Sequence, residues 1–473
     1  MSKKIIIDPI TRIEGHGKVI IELDDYGNVA QSKFVVKEFR GFEKFCEGRM
    51  LWEMPLITSR ICGICPVSHH LASVKTIESL LAVEIPPAAQ LLRRLMHMAQ
   101  FIHNHSLHFF YLSMPDLLFS NSGPKERNFF GVLDSKPELA KKAIRLRQIG
   151  QNIIHRVGGR SIHPVTAIPG GMSMPLSHED RFVSSKEIDE AIELAKMAIG
   201  VYHSLFEEQS EALVSLGSIQ GKYMALARSG SMELYDGPVI ITDGNGKKLD
   251  SFVSESYQDY IDEYSTEDTY SKFPYYKKSN HQDGAYRVGP LARLNIAEQI
   301  DTPLAQQEME RFKALSEGGA VNQTMYYHYA RMIELLYAAE HAKQLLDDDT
   351  IVSSDVRIAV SRQGGEGTGI IEAPRGTLIH YYQADDMGKV IKSNIIVPTT
   401  HNNAAINESV NQAAKAFING GEVKEGMLNR IEMAIRCYDP CLSCSTHQVG
   451  MMPLIVDICS ADGDIVSSIR RDG

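Results

Sequence analysis

The sequence predicts an α+β protein: a mainly helical bundle core with β-rich segments near the two ends and in the middle. Three observations carry that prediction. Long stretches between residues 85 and 346 repeat apolar residues at three- and four-residue spacing, as one face of a helix requires. The first forty residues alternate apolar and polar side chains instead. A segment covering residues 231–295 is rich in Tyr, Gly and Asp and offers only short strand-like runs.

Taken in order, KVIIELDDYGNV alternates around an Asp-Tyr-Gly turn, and SKFVVKEF supplies the next strand. The pattern turns helical over residues 85–119, where Pro86 and Pro87 open a run of apolar side chains at helical spacing. Further helices are expected over 137–157, 185–226, 304–346 and 402–417. GPVIITDGNGKKLDSFV marks 231–295 as a β-rich insert, and residues 371–398 read as strands again. Beyond His447, PLIVDICS and DIVSSIRR flank an Ala-Asp-Gly turn, so residues 448–473 are expected to form a hairpin tail that stays on the chain. With no internal repeat and no Pro/Gly/Ser-rich linker, residues 1–473 read as one interwoven catalytic unit.

Composition narrows the function classes. The hydrophobic fraction of 43% and charged fraction of 23% are those of a globular protein with a large core. A net charge of -10 argues against nucleic-acid and anionic-membrane partners. No apolar run approaches the roughly 18 residues that span a bilayer. MSKKIIIDPITRIEGH has too short an apolar core for a secretory signal, so a cytoplasmic location is expected. Seven cysteines make no disulfide framework, and Cys46, Cys437 and Cys459 read as buried apolar side chains.

The other four cysteines form two pairs of equal spacing. RICGICPVSHH holds Cys62 and Cys65, with His69 four residues on; DPCLSCSTH holds Cys441 and Cys444, with His447 three residues on. Four soft ligands suit zinc, an iron–sulfur cluster, copper(I) or another thiolate-binding metal. A structural zinc usually closes a short loop, whereas these pairs are separated by almost the whole chain, which favours one shared site assembled by folding. Arg60 supplies a nearby cation to lower thiol pKa, Gly63 gives room for close backbone approach, and Asp439-Pro440 fixes the chain before the second pair. His69 is placed to hydrogen-bond a ligand sulfur.

These motifs, with DPITRIEGH (residues 8–16), RGFE (40–43), GRSIHPVTAIPGG (159–171), APRG (373–376) and VPTTHN (397–402), resemble the large, catalytic subunit of nickel–iron hydrogenases over effectively the whole chain. The ending looks most like the cytoplasmic enzymes of methanogens that feed a heterodisulfide reductase; deazaflavin- and NAD-reducing enzymes are the alternative. The resemblance implies that Cys62 and Cys441 are terminal nickel ligands. Cys65 and Cys444 would bridge nickel to an iron carrying one carbon monoxide and two cyanides. It implies Cys441 as proton acceptor, Glu14 as the next relay, and Arg375 as a cation over the open metal position. From the residues alone, Glu14 reads instead as an ion-pair partner of Arg12.

By the same resemblance, Pro398 and Thr399 line the iron's diatomic ligands, and Glu43, the Ile395 carbonyl and His447 hold Mg²⁺ or Fe²⁺. Many relatives carry an aspartate between two histidines facing the arginine; here Asn104 lies between His103 and His105, which leaves Arg375 one ion-pair partner fewer. His105 is expected to sit close around the metal ligands. Since the paired cysteines are spent on the metals, electron transfer requires an iron–sulfur small subunit, with heterodisulfide reductase and an electron-transfer subunit beyond it. The competing classes are a structural zinc protein and a non-catalytic relative of a complex I subunit. The latter lineage lacks the cysteine pairs.

Overall fold

The structure, a computed structural model, describes residues 4–120, 122–207, 216–281, 283–361, 364–420 and 423–446, with the backbone of Leu454–Cys459 and Ile465–Arg471. At its centre runs the helix Pro87–Leu107, prolonged by a π-helical turn, His108–Ser113, and a short helix, Met114–Leu118. From Leu95 to Ser106 every residue of the central helix is buried, because Pro137–Gly158 covers one side and Tyr326–Asp347 another. Tyr326–Asp347 in turn lies along His178–Glu207. Glycine sets one of these distances: a Cβ on Gly150 would stand 2.5 Å from the Ala99 carbonyl oxygen and 2.8 Å from the His103 amide. The backbones meet where a side chain is missing.

Pro66 directly follows Cys65 and opens the helix Pro66–Leu81, using a position where no backbone donor is needed. This helix lies on the strand Gly365–Ala373. There, added Cβ atoms on Gly367 and Gly369 would come 2.4 Å from the Thr76 carbonyl oxygen and 2.5 Å from that of Ala72. The strand belongs to an antiparallel sheet ordered Gly365–Ala373, Gly376–Ala384, Val390–Ile396. Its tight first turn sets Arg375 at the tip, and its last strand runs directly into Pro398 and Thr399.

The amino-terminal sheet, Lys4–Ile7, Gly17–Leu23 and Val29–Val36, follows the alternation seen in the sequence. Its connecting segment meets the far end of the chain: Thr11 donates its backbone N–H to Glu432 at 2.7 Å, and the Leu442 N–H donates to the Glu14 carbonyl at 3.0 Å.

Two helix expectations are corrected. The helix expected over 185–226 is described from His178 to Glu207, and Lys222–Arg228 is a strand in a five-stranded sheet rather than helix. KYMALAR is buried on both faces, so it lacks the alternation that betrays a half-exposed strand. The helix expected over 304–346 is two, Pro303–Lys313 and Tyr326–Asp347, parted by a loop around Ser316-Glu-Gly-Gly. Between residues 231 and 295 lie the strands Val239–Thr242 and Lys248–Phe252, the hairpin Ile261–Thr266 with Thr269–Tyr276, and the start of the helix Pro290–Ile296. In the tail, Leu454–Cys459 and Ile465–Arg471 pair antiparallel; His447 and the tail's side chains lie outside the described residues. Among the described residues no helix is long and apolar enough to cross a membrane.

Candidate metal centre

The two cysteine pairs meet in one place. All four sulfurs lie within 4.8 Å of one another, and all four residues are buried. Cys62 Sγ is 3.3 Å from Cys441 Sγ, Cys65 Sγ is 3.6 Å from Cys444 Sγ, and the sulfurs of Cys441 and Cys444 are 2.9 Å apart. These separations far exceed the ~2.05 Å of a disulfide bond and suit four donors around a common centre. Beside Cys65, Cys441 and Cys444 lies a small cavity of about 10 Å³, lined also by Arg375, Pro398, Thr399 and Leu378.

The backbone before each pair explains the convergence. Cys62 follows a short turn, Ser59–Ile61, and its sulfur accepts the backbone N–H groups of Ile64 and Cys65 at 3.3 and 3.4 Å. Asp439 takes a left-handed conformation with φ +52°, which an aspartate tolerates better than most side chains. It redirects the chain after the helix Glu425–Cys437, and the Cys441 N–H then donates to Thr399 Oγ1 at 2.8 Å.

Electrostatics call for a bound cation. Hydrogen bonds from Cys441, Cys444 and Cys65, aided by Arg375, hold the Cys62 thiol well below its ordinary pKa. Burial pushes Cys441 and Cys444 well above theirs. A buried cluster of thiolates is stable only where metal charge compensates it. A closed tetrahedral zinc would account for the sulfurs but leave the neighbouring cavity and its guanidinium without a use. The donor set and the cavity together fit a nickel–iron pair.

Arg375 is aimed by Asp439. Its Nε donates to the Asp439 carbonyl oxygen at 2.6 Å and its Nη2 to the carboxylate at 3.0 Å, while the buried Nη1 has no partner among the described residues. Burial opposes its charge, but Asp439 and the thiolates outweigh burial and raise its pKa well above the usual guanidinium value. Arg375 thus has its carboxylate partner in Asp439. Asn104 contributes no charge, and its Nδ2 reaches only the Ile64 carbonyl at 3.5 Å.

Glu14 is brought onto the second pair. Its Oε2 lies 3.1 Å from Cys441 Sγ and accepts the Ser443 N–H at 3.0 Å, while Ser443 Oγ donates to Oε1. Arg12 turns instead to Asp116 and to the Leu112 carbonyl, so the expected Arg12–Glu14 pair does not form. His69 Nε2 lies 3.6 Å from Cys444 Sγ.

Three other expectations change. Arg375, not the exposed Arg60, is the cation acting on Cys62. A Cβ on Gly63 would meet open space, so this glycine serves no close approach. His105, expected close around the metal ligands, donates from Nε2 to the Glu334 carboxylate at 2.9 Å. Glu334 binds Arg293, which holds the Ala373 and Pro374 carbonyls at 3.0 and 3.1 Å, so His105 acts on the turn bearing Arg375 from two partners away.

Of the residues expected around a second metal, Glu43 and Ile395 are neighbours. Glu43 Oε1 accepts the Ile395 N–H at 2.5 Å and the Asn394 side chain at 3.4 Å, whereas His447 lies outside the described residues. Cys46 and Cys437 are buried, their thiols pushed up to about 12 by burial, as inert side chains would be. Sequence reasoning missed Asp439 as the partner of Arg375; its acidic character beside the second cysteine pair was the available signal.

Comparison with known proteins agrees with this geometry. The family model described as nickel-dependent hydrogenase matches residues 40–119 and 201–447, and one described as HoxL-like matches residues 4–39. The NAD-reducing hydrogenase HoxS subunit beta of Cupriavidus necator is 39% identical, covering 100% of both chains. The vhu F₄₂₀-non-reducing hydrogenase subunit of Methanocaldococcus jannaschii is 44% identical, covering 88% of this chain and 99% of its own. A crystal structure of an NAD⁺-reducing [NiFe]-hydrogenase in the H₂-reduced state superposes with a TM-score of 0.91 at 42% identity, covering 94% of this chain and 99% of that one. The chain therefore belongs to the nickel-dependent hydrogenases, as the large subunit of a [NiFe] enzyme acting on H₂.

Proposed function

We propose that the chain splits and forms H₂ with Cys62, Cys65, Cys441 and Cys444 as the metal ligands, and passes electrons to iron–sulfur clusters in a separate small subunit. The convergence of the four sulfurs beside a small cavity is the observation that carries this reading. When bound, the nickel–iron centre supplies the polarisation of H₂ and takes up its electron pair. Every other task falls to protein groups.

In this reading Cys441 sulfur receives the proton and hands it to Glu14, 3.1 Å away. Ser443 orients that carboxylate through its backbone N–H and its hydroxyl. Arg375 stays protonated and stabilises charge developing in the cavity, since its pKa is too high for it to act as a base. Pro398 walls the cavity that would contain iron with one carbon monoxide and two cyanides. Thr399 Oγ1 already accepts the Cys441 N–H, so its own hydrogen is available to a cyanide nitrogen. Glu43, the Ile395 carbonyl and His447 would hold Mg²⁺ or Fe²⁺, whose preference for oxygen ligands fits a carboxylate and a carbonyl.

The electrons leave through the small subunit toward a heterodisulfide-reductase-type complex in the cytoplasm, by way of an electron-transfer subunit. The full-length match to an NAD-reducing relative favours NAD⁺ as a second reading of the final acceptor. Purifying the native complex tests both. Co-elution of heterodisulfide reductase subunits, with H₂-dependent viologen reduction but no NAD⁺ reduction, is expected; a flavoprotein partner and NAD⁺ reduction would select the second reading. Zinc as the sole metal in active protein would overturn both.

A further inference from the structure

Most buried arginines of this chain sit against a carboxylate. Arg93 meets Glu78 at 2.7 Å, Arg293 meets Glu372 at 2.6 Å, Arg436 meets Asp116 at 2.7 Å and Arg375 meets Asp439 at 3.0 Å. Arg287 has no acid but is ringed by the Tyr223 hydroxyl and the Ile219 and Asn322 carbonyls. Arg331, on the helix Tyr326–Asp347, is fully buried and has less. Among the described residues it forms no ion pair; it donates to the Cys437 carbonyl at 3.0 Å and the Tyr327 carbonyl at 3.4 Å, and its Nε has no partner. Burial lowers its pKa, while Asp439 and then Glu334 act in the opposite sense. Glu334 is already taken up by Arg293 and His105, and the nearby imidazoles of His108 and His328 are held neutral by burial. A buried charge without its own counter-ion costs the fold stability, so its presence calls for a task.

The contacts of Arg331 lead to the second cysteine pair. Cys437 ends the helix Glu425–Cys437, and the guanidinium holds the carbonyl at that end. Two residues on, Asp439 turns the chain with φ +52° and carries Arg375 through its carbonyl oxygen and Oδ1. The other carboxylate oxygen, Oδ2, is buried without a partner among the described residues, and the Arg331 charge acts on this carboxylate alongside that of Arg375. Asp439 is thus set from two sides: its backbone is placed by a helix end that Arg331 holds, and its charge is balanced by two guanidiniums. We infer that Arg331 is a positioning residue that pins the Cys437 carbonyl, adds positive charge beside the Asp439 carboxylate and so keeps Arg375 aimed at the metal position. The inference rests on the role given to Arg375 in the proposed reaction.

The test uses the metal-loaded complex, with kcat and KM for H₂ in viologen reduction, nickel content and thermal midpoint as readouts. Arg331→Met removes the charge and keeps much of the bulk. It is expected to retain nickel and to lower kcat by about 10- to 100-fold with KM for H₂ unchanged, the scale of a misaimed group. Its thermal midpoint should equal or exceed that of the wild type, because an unpaired buried charge is gone. Arg331→Lys keeps the charge but not the planar reach to the Cys437 carbonyl, and should recover part of the kcat loss. Added to Arg375→Lys, Arg331→Met should cost little more than Arg375→Lys alone, as residues acting in series do. A wild-type kcat in Arg331→Met, a kcat loss accompanied by lost nickel or a lower thermal midpoint, or multiplied losses in the double variant would each overturn the inference. A wild-type kcat in Arg375→Lys would instead sink the role of Arg375 beneath it.

Discussion

Arg375 and Asp439 are joined twice, through the aspartate's own carbonyl at 2.6 Å and its carboxylate at 3.0 Å. A guanidinium held on two edges can direct its third nitrogen at one point only. Lysine has a single point charge and cannot satisfy both contacts while reaching the cavity. Arg375→Lys is expected to retain nickel and iron but to lower H₂-dependent viologen reduction by about 100-fold, the scale of losing one aimed donor. Metal analysis alongside steady-state rates checks this, and an unchanged rate would remove Arg375 from the reaction.

Among the described residues Glu14 touches Cys441 and Ser443 and no cation. Glu14→Gln keeps the shape and can still hydrogen-bond, but cannot carry a proton. Its turnover should fall by about 100-fold or more, in the range lost with a positioned acid or base, while metal content stays at wild-type level. Glu14→Asp should fall between the two.

Cys441→Ser replaces a soft ligand with a hydroxyl that remains protonated near neutral pH. Nickel is expected to drop out and H₂-dependent viologen reduction to vanish; retained activity would refute the ligand role.

Acid should destabilise the chain earlier than its carboxylates alone would. Burial lowers His70, His97 and His105 to about 4, and His103, His328 and His401 to about 3. Below the ordinary imidazole value of ~6.5 the unfolded chain binds protons that the folded chain refuses, so stability falls as pH drops. Between pH ~6.5 and the folded value this is roughly 3 kcal/mol for each histidine lowered to about 4 and roughly 5 kcal/mol for each lowered to about 3. Thermal midpoints are expected to be flat near pH 7.5 and to fall steeply below about pH 6. Replacing His401 by Gln should flatten that fall.

Gly150→Ala would drive a methyl group into the Ala99 carbonyl oxygen and the His103 amide. A loss of about 1–3 kcal/mol is expected from overpacking two long helices, seen as a lower thermal midpoint with the metal site's spectrum preserved.

Much of the site is legible in the sequence because short spacings survive folding. Cys62 and Cys65 bracket a single turn, as do Cys441 and Cys444, and either pair is recognisable by itself. Contacts between distant segments are not legible. Nothing near Arg375 in sequence announces Asp439, and Tyr382 stands beside Tyr381 with no sign that one is buried against His380 and the other reaches Glu366. The fold fails to read out at Lys222–Arg228 for a related reason. A run buried on both faces has no periodicity, and its neighbours in the sheet decide that it is extended. Nothing in the sequence around His105 announces its partner Glu334, 229 residues away.

The bridge between Glu14 and Cys441 also bears on how such a chain is made. The sulfurs of Cys62 and Cys441 touch across 379 residues, so no nascent segment carrying only the first pair can form the cage. Contacts of such long range form late, after local helices have condensed. The centre is thus a clasp fastened at the close of folding, and a chain whose clasp stays open should reveal itself by early protease cleavage near its amino-terminal sheet.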